Sequence, residues 1–263
     1  MQLRTGLALI GAIVAAGGVA GLYFGIGISW ISLAVIVCIS LLAYLLAAIA
    51  ATANAASGFA EFMRGWQIGM NTGLNGFLGF VIVDLLAGTA AGIIVGTALG
   101  LLNLLTVIGP VSQSEAFQGI LGWLTWLMPM SWLVIGIGLL FYLICFLGHV
   151  VTGGKVAYLK VQALSADWKT GTFFIKGGLI SNLNPLDTAF NMGNFSFVDY
   201  LSGGWHKEHE AGHTLNLAAF GSLFHLIGAL DENLLRRMGN AYSERLAESN
   251  DSGTGGNNIP MWY

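Results

Sequence analysis

The chain has 263 residues, 56% of them hydrophobic and 9% charged, with a formal net charge of −3. A soluble domain carries about 25% charged residues, so this composition excludes an ordinary water-soluble globule. No run of Lys or Arg marks a nucleic-acid surface, and no Gly-rich loop followed by Lys-Ser/Thr offers a nucleotide site.

Charge is segregated along the chain. Between Thr5 and Gly148 the only charged residues are Glu61, Arg64, Asp84 and Glu115. A membrane helix needs about 20 apolar residues. Residues 6–52 carry no charge and suit two spans, 6–27 and 30–52, broken near Gly25–Ser29. The apolar stretch runs well past the length of a signal peptide. Residues 53–75 are more polar, with Asn54, Glu61, Arg64, Gln67 and Asn71 among Phe59, Phe62, Met63 and Trp66. That mixture predicts a loop lying on the membrane surface. A third span covers 77–107, a turn with Pro110 and Glu115 follows, and a fourth span covers 120–148. The expected fold class is therefore an α-helical membrane bundle of about four transmembrane helices in residues 1–150, followed by a small α+β domain in 151–250. Cys38 and Cys145 both lie in apolar spans and read as small core residues, with no disulfide framework.

Four crossings would place the N-terminus, the 53–75 loop and the C-terminal domain on one side. All ten basic residues fall on that side. The positive-inside rule then predicts a cytoplasmic N-terminus and C-terminal domain.

Two spans carry glycine at every fourth position: Gly17, Gly21, Gly25 and Gly88, Gly92, Gly96, Gly100. Such a glycine zipper lets a neighbouring backbone approach one helix face, either within one bundle or in a homo-oligomer or pore. Asp84, inside the third span, either faces the bundle interior as a functional group or sits near the interface.

The polar part begins near Gly153. Residues 155–164, 172–181 and 188–198 read as strands, rich in Val, Phe, Ile and Thr and bounded by turn residues. A helix is expected from about Gly204, and a last one over 240–249. Residues 251–263 read as a flexible tail.

The chemistry sits in His209-Glu210-Ala211-Gly212-His213, an H-E-x-x-H pattern on a predicted helix. Residues i and i+4 share a helix face, so both imidazoles can converge on one metal ion. Glu210 then stands beside it as a candidate general base. A catalytic zinc site needs a third protein ligand. A metzincin-like extension would need histidine six residues after His213, but Ala219 stands there and excludes that class. His225, Asp231, Glu232, Glu244 and Glu248 remain as candidates. Tyr242, His225 and His206 could donate to an oxyanion. His206 otherwise reads as a surface neighbour of the motif, and His225 as a buried histidine.

The segment Tyr242-Ser243-Glu244-Arg245-Leu246-Ala247-Glu248, taken with the H-E-x-x-H helix, resembles the gluzincin zinc metallopeptidases, the thermolysin-like class. The resemblance covers roughly residues 205–250, and the family's Asn before the ligand Glu is replaced by Ser243. It implies Zn2+ held by His209, His213 and Glu244, with Glu248 orienting a histidine. It also implies peptide-bond hydrolysis with Glu210 as base on a zinc-bound water, and a protein or peptide substrate met at a lipid membrane. Two other readings stand beside it. One is a glycine-zipper structural or pore-forming membrane protein whose polar domain is a non-catalytic docking module. The other is a site-2-type intramembrane protease, to whose Asn-Pro…Leu-Asp element Asn184-Pro185-Leu186-Asp187 is similar, though it precedes the motif here.

Overall fold

The structure is a computed structural model that describes residues 3–54, 57–112, 114–183, 189–234 and 241–248. The predicted tail and Asn184–Asp187 lie outside the described residues. Four helices open the chain: α1 (Leu3–Ile26), α2 (Trp30–Asn54), α3 (Gly58–Ala87) and α4 (Thr89–Leu104). Two short helices, α5 (Gly109–Ser112) and α6 (Glu115–Leu124), lead to α7 (Trp132–Thr152). Among the described residues, six helices are suited by length and hydropathy to crossing a membrane, which fits an integral membrane protein and exceeds the four expected.

The helix Lys207–Asn233 is one of the two additional candidates, and two misreadings account for the other. The predicted surface loop at 53–75 lies largely in the first half of α3. Its polar side chains face inward: Glu61, Arg64, Gln67, Asn71 and Asn75 are all buried. Four of the five find partners inside the bundle, whereas the Gln67 amide has no hydrogen-bond partner among the described residues. Glu61 pairs with Arg64 at 3.3 Å, Asn75 Nδ2 donates to Asn71 Oδ1, and Asn75 Oδ1 accepts from the Met130 N–H. The predicted third span is also two helices, because Gly88, at φ 85°, breaks it into the end of α3 and the start of α4. The four-crossing count behind the cytoplasmic placement therefore no longer holds. Asp84 sits one turn before this break, where its Oδ1 accepts from Thr89 Oγ1 at 2.7 Å. It serves the α3–α4 turn.

Small residues set how close the helices come. A Cβ on Gly65 or Gly69 would lie 1.9 or 2.1 Å from the carbonyl oxygen of Ala8 or Ala12, so α1 and α3 touch backbone to backbone. Gly92 and Gly96 of α4 meet the Phe80 and Gly76 carbonyls of α3 in the same way. That glycine stripe is used within the chain. The α1 stripe at Gly17, Gly21 and Gly25 has nothing within 4 Å and faces outward. Cys145 is buried as expected, whereas Cys38 is exposed on α2.

The strands are β1 (Val161–Asp167), β2 (Thr172–Gly177), β3 (Ala189–Met192) and β4 (Phe195–Val198), in the order β1-β2-β4-β3. The predicted strand at 188–198 is a hairpin, turned at Gly193 with φ 75°. A short helix, α8 (Leu179–Leu183), follows β2. Side chains alternate across the sheet. Ile175, Phe195 and Phe197 pack on Val134, Ile135 and Cys145 of α7. The opposite face carries Thr172, Asn191 and Ser196 and meets α9 (Lys207–Asn233). The sheet is thus a layer between two helices.

The helix α9 is interrupted at Gly221, where φ is 80° and ψ 177°, a conformation open essentially to glycine alone. A straight helix would put His213 and His225 about 18 Å apart along its axis. Their ring centroids are 6.3 Å apart, so the chain doubles back. The last helix, α10 (Tyr242–Ala247), lies against both arms, close to Gly212 through Ala247 and to Gly228 through Ser243. Each arm is only about 20 Å long, short of the roughly 30 Å hydrocarbon core. Leu215, Phe220, Phe224, Tyr242 and Leu246 share one core with Ala8, Ala43, Tyr44 and Ile68. The α+β unit expected after residue 150 is present and is embedded against the bundle.

The two kinds of glycine should respond differently to substitution. Gly69→Ala should lower the thermal unfolding midpoint in detergent by several degrees, through overpacking costs of about 1–3 kcal/mol. Gly21→Ala should leave it unchanged or raise it, since alanine favours a helix by about 1 kcal/mol.

Candidate metal centre

Three elements build the site. The first arm of α9 presents His209 and His213 one turn apart. The arm is held from the sheet side by Thr214, whose Oγ1 donates to the Gly193 carbonyl at 2.7 Å and accepts from Thr172 Oγ1 at 2.9 Å. The bend fixes its far end. At Gly221 the helical ladder stops and leaves the Ala218 and Ala219 carbonyls without their usual partners. Asn71 Nδ2 of α3 donates to them at 3.3 and 3.0 Å, and Asn103 Nδ2 of α4 at 2.9 and 3.1 Å. Thr72 Oγ1 orients Asn103 by donating to its Oδ1 at 2.8 Å.

The third element is α10, which carries Glu244. Its start is fixed by a buried polar relay. Tyr44 Oη of α2 donates to Asp231 Oδ2 at 2.9 Å and accepts from the Ser243 N–H at 3.2 Å. Asp231 Oδ2 also accepts from the Tyr242 N–H at 3.3 Å. Asp231 is thus a cap for α10, as a carboxylate at a helix start should be. Asn216 Nδ2 ties the first arm to the same place, donating to the Ser243 carbonyl at 3.1 Å.

The result is a triangle of side chains. His209 Nε2 and His213 Nε2 are 3.2 Å apart, Glu244 Oε2 is 3.2 Å from His209 Nε2, and Glu244 Oε1 is 3.3 Å from His213 Nε2. Ligands 2.0–2.1 Å from a tetrahedral zinc are separated by about 3.3–3.4 Å. The two glutamate contacts are made by different oxygens, so the three side chains could hold one metal ion with the carboxylate bound through one oxygen or both. Among the described residues, His209, His213 and Glu244 form the one such group. Glu248 Oε1 lies 3.4 Å from the other nitrogen of His209, Nδ1, where an outer partner of a metal-bound imidazole belongs. Burial alone would raise the Glu244 carboxyl pKa. The facing His213 and His209 outweigh it and hold the group well below the usual carboxylate range.

The remaining predicted residues fall in different places. Glu210 is buried beside the triangle, and its Oε2 accepts from Ser196 Oγ at 2.9 Å. His225 is brought near by the fold-back, with its Nε2 3.1 Å from the Asn191 carbonyl. His206 precedes α9 at φ 48° and contacts Ser202 Oγ at 3.2 Å, within its own loop. Tyr242 lies two residues before Glu244 and so faces away from it on α10. Its ring sits against Tyr44 and Phe224, with centroids 5.5 and 5.9 Å away. Glu232 is outside the ligand group, and Asp187 is outside the described residues.

Sequence reasoning missed Ser196, Asn191, Thr214, Asn71, Asn103 and Tyr44. The first two had a readable signal: polar residues at inward positions of apolar strands need buried partners.

No family model matches the chain, and no curated protein or solved structure is significantly similar to it.

The bend offers a test of how the site is held. A Cβ at Gly221 would lie 2.3 Å from Asn71 Oδ1 on backbone that side chains rarely adopt. Gly221→Ala should cost about 1–3 kcal/mol and weaken zinc binding. Thermal unfolding and zinc titration of the purified variant measure both.

Proposed function

We propose that this chain is a membrane-embedded zinc metallopeptidase. The observation that carries the reading is the triangle of His209, His213 and Glu244, close enough together to hold one metal ion, and a buried acid, Glu210, beside it. A structural zinc site normally closes all four positions with protein groups, whereas a catalytic one keeps a position for water or substrate.

When bound, zinc would lower the pKa of a water and polarise a scissile carbonyl. The chain's own groups do the rest. Glu210 takes a proton and returns it to the leaving amine. Glu248 keeps the His209 ring in its ligating orientation. His225 stands near His213, but its Nε2–H is given to the Asn191 carbonyl, so the neutral ring has no second N–H for a developing oxyanion. The substrate class is a peptide bond in a protein or peptide.

A site-2-type intramembrane protease is the second reading, and one observation favours it. The hairpin bearing the motif shares its core with the apolar helices, and the sheet lies along α7 from Ile135, which meets Gly193, to His149, which meets Val161. A span through α7 would carry the sheet and its edge to membrane depth.

Two measurements on detergent-purified protein test the proposal. Wild type should hold about one zinc per chain, and both His213→Ala and Glu244→Ala should lose it. Glu210→Gln should keep the zinc and lose about 10²–10⁴-fold in peptidase kcat. A wild type without zinc, or a fully active Glu210→Gln, would overturn the reading. Hydrolysis of a membrane-spanning peptide in preference to a soluble one would select the second form.

A further inference from the structure

We propose that Asn191 and Ser196 form a cross-strand clamp that positions Glu210, an inference that rests on the metallopeptidase reading. The two residues are directly opposed in the β3–β4 register. They share a sheet face with Thr172 and the apolar Phe174, Ala189 and Val198. Ser196 Oγ donates to Glu210 Oε2 at 2.9 Å, and Asn191 Nδ2 donates to the Glu210 carbonyl at 3.0 Å. One glutamate is thus held at its backbone and at its carboxylate by one rung of the sheet. All three residues are buried, with Ser196 at 0% and Glu210 at 2% exposure.

The geometry gives the clamp two effects. A glutamate side chain has several rotamers, and a bond to one carboxylate oxygen selects among them. The same bond draws the carboxylate toward the sheet and away from the ligand triangle. Glu210 is not in the metal-holding group although it adjoins His209 in the chain. Without the hydroxyl, a buried carboxylate has lost a donor and gains most by turning to a metal ion. The clamp therefore keeps the base from becoming a fourth protein ligand and keeps the open position open. Ser196 and Asn191 are positioning residues and touch neither metal nor substrate.

The test uses the full chain in detergent, with Ser196→Ala, Ser196→Cys and Glu210→Gln. Ser196→Ala should keep its zinc, lose about 10–100-fold in kcat, as removal of an outer-shell partner typically does, and keep KM. Ser196→Cys preserves volume with a weak donor and should move the same way by less, which keeps the test available if the alanine variant fails to fold. Cobalt(II) substitution gives a readout separate from turnover. The visible absorption of Ser196→Ala should weaken as Glu210 enters the coordination sphere, and Glu210→Gln added to it should restore the wild-type band. Wild-type kcat and an unchanged cobalt spectrum in both serine variants would overturn the clamp. Absence of zinc, or of any effect of Glu210→Gln, would instead overturn the metallopeptidase reading beneath it.

Discussion

The structure depends on the capture of two backbone carbonyls. Where α9 breaks at Gly221, Ala218 and Ala219 present oxygens that no helix satisfies, in an interior with little water to replace the lost bonds. Two asparagine amides, from α3 and α4, supply the missing donors. Leaving such groups unpaired would cost several kilocalories per mole each in an apolar interior. The asparagines therefore make the break tolerable and fix where it occurs. Once it occurs there, the chain returns alongside itself, and His225, Asp231 and α10 arrive next to the first arm.

A second buried relay completes what the bend begins. Tyr44, Asp231 and the N–H groups of Tyr242 and Ser243 join α2, the second arm of α9 and the start of α10. Their geometry decides where Glu244 points, although none of them is a ligand. The His209–His213–Glu244 cluster is thus assembled from residues far apart in the chain and carried by helices whose outer surfaces are apolar. This organisation explains why polar residues inside α3 are retained: Asn71 and Asn75 are part of the support of the site, not a wetted surface.

The same residues show what was legible in the sequence. The i, i+4 histidines were legible because helical spacing alone puts them on one face. Glu244 and Glu248 came from a resemblance, and the fold places both against the two rings of the motif helix or one of them. The polar stretch at 53–75 was misread because hydropathy counts polar residues without knowing their partners. A stripe at residues 61, 64, 71 and 75 looks identical whether it faces lipid headgroups or a buried network. The split of the third span was misread for a related reason. Gly88 belongs to a run of evenly spaced glycines, and only its positive φ distinguishes it from Gly92 and Gly96, which pack inside a helix.

By itself, the sequence determined the membrane class, the helical bundle, the strand-rich segment before the motif and the two histidines with their glutamate, because these follow from composition and from periodicities of two and 3.6 residues. Only the tertiary structure decided how many apolar helices there are, that α9 folds back, that Asp231 and Tyr44 fix the start of α10, and that Ser196 holds Glu210. Each of those depends on which donor meets which acceptor across more than ten residues of chain, and local patterns carry no information about such pairings.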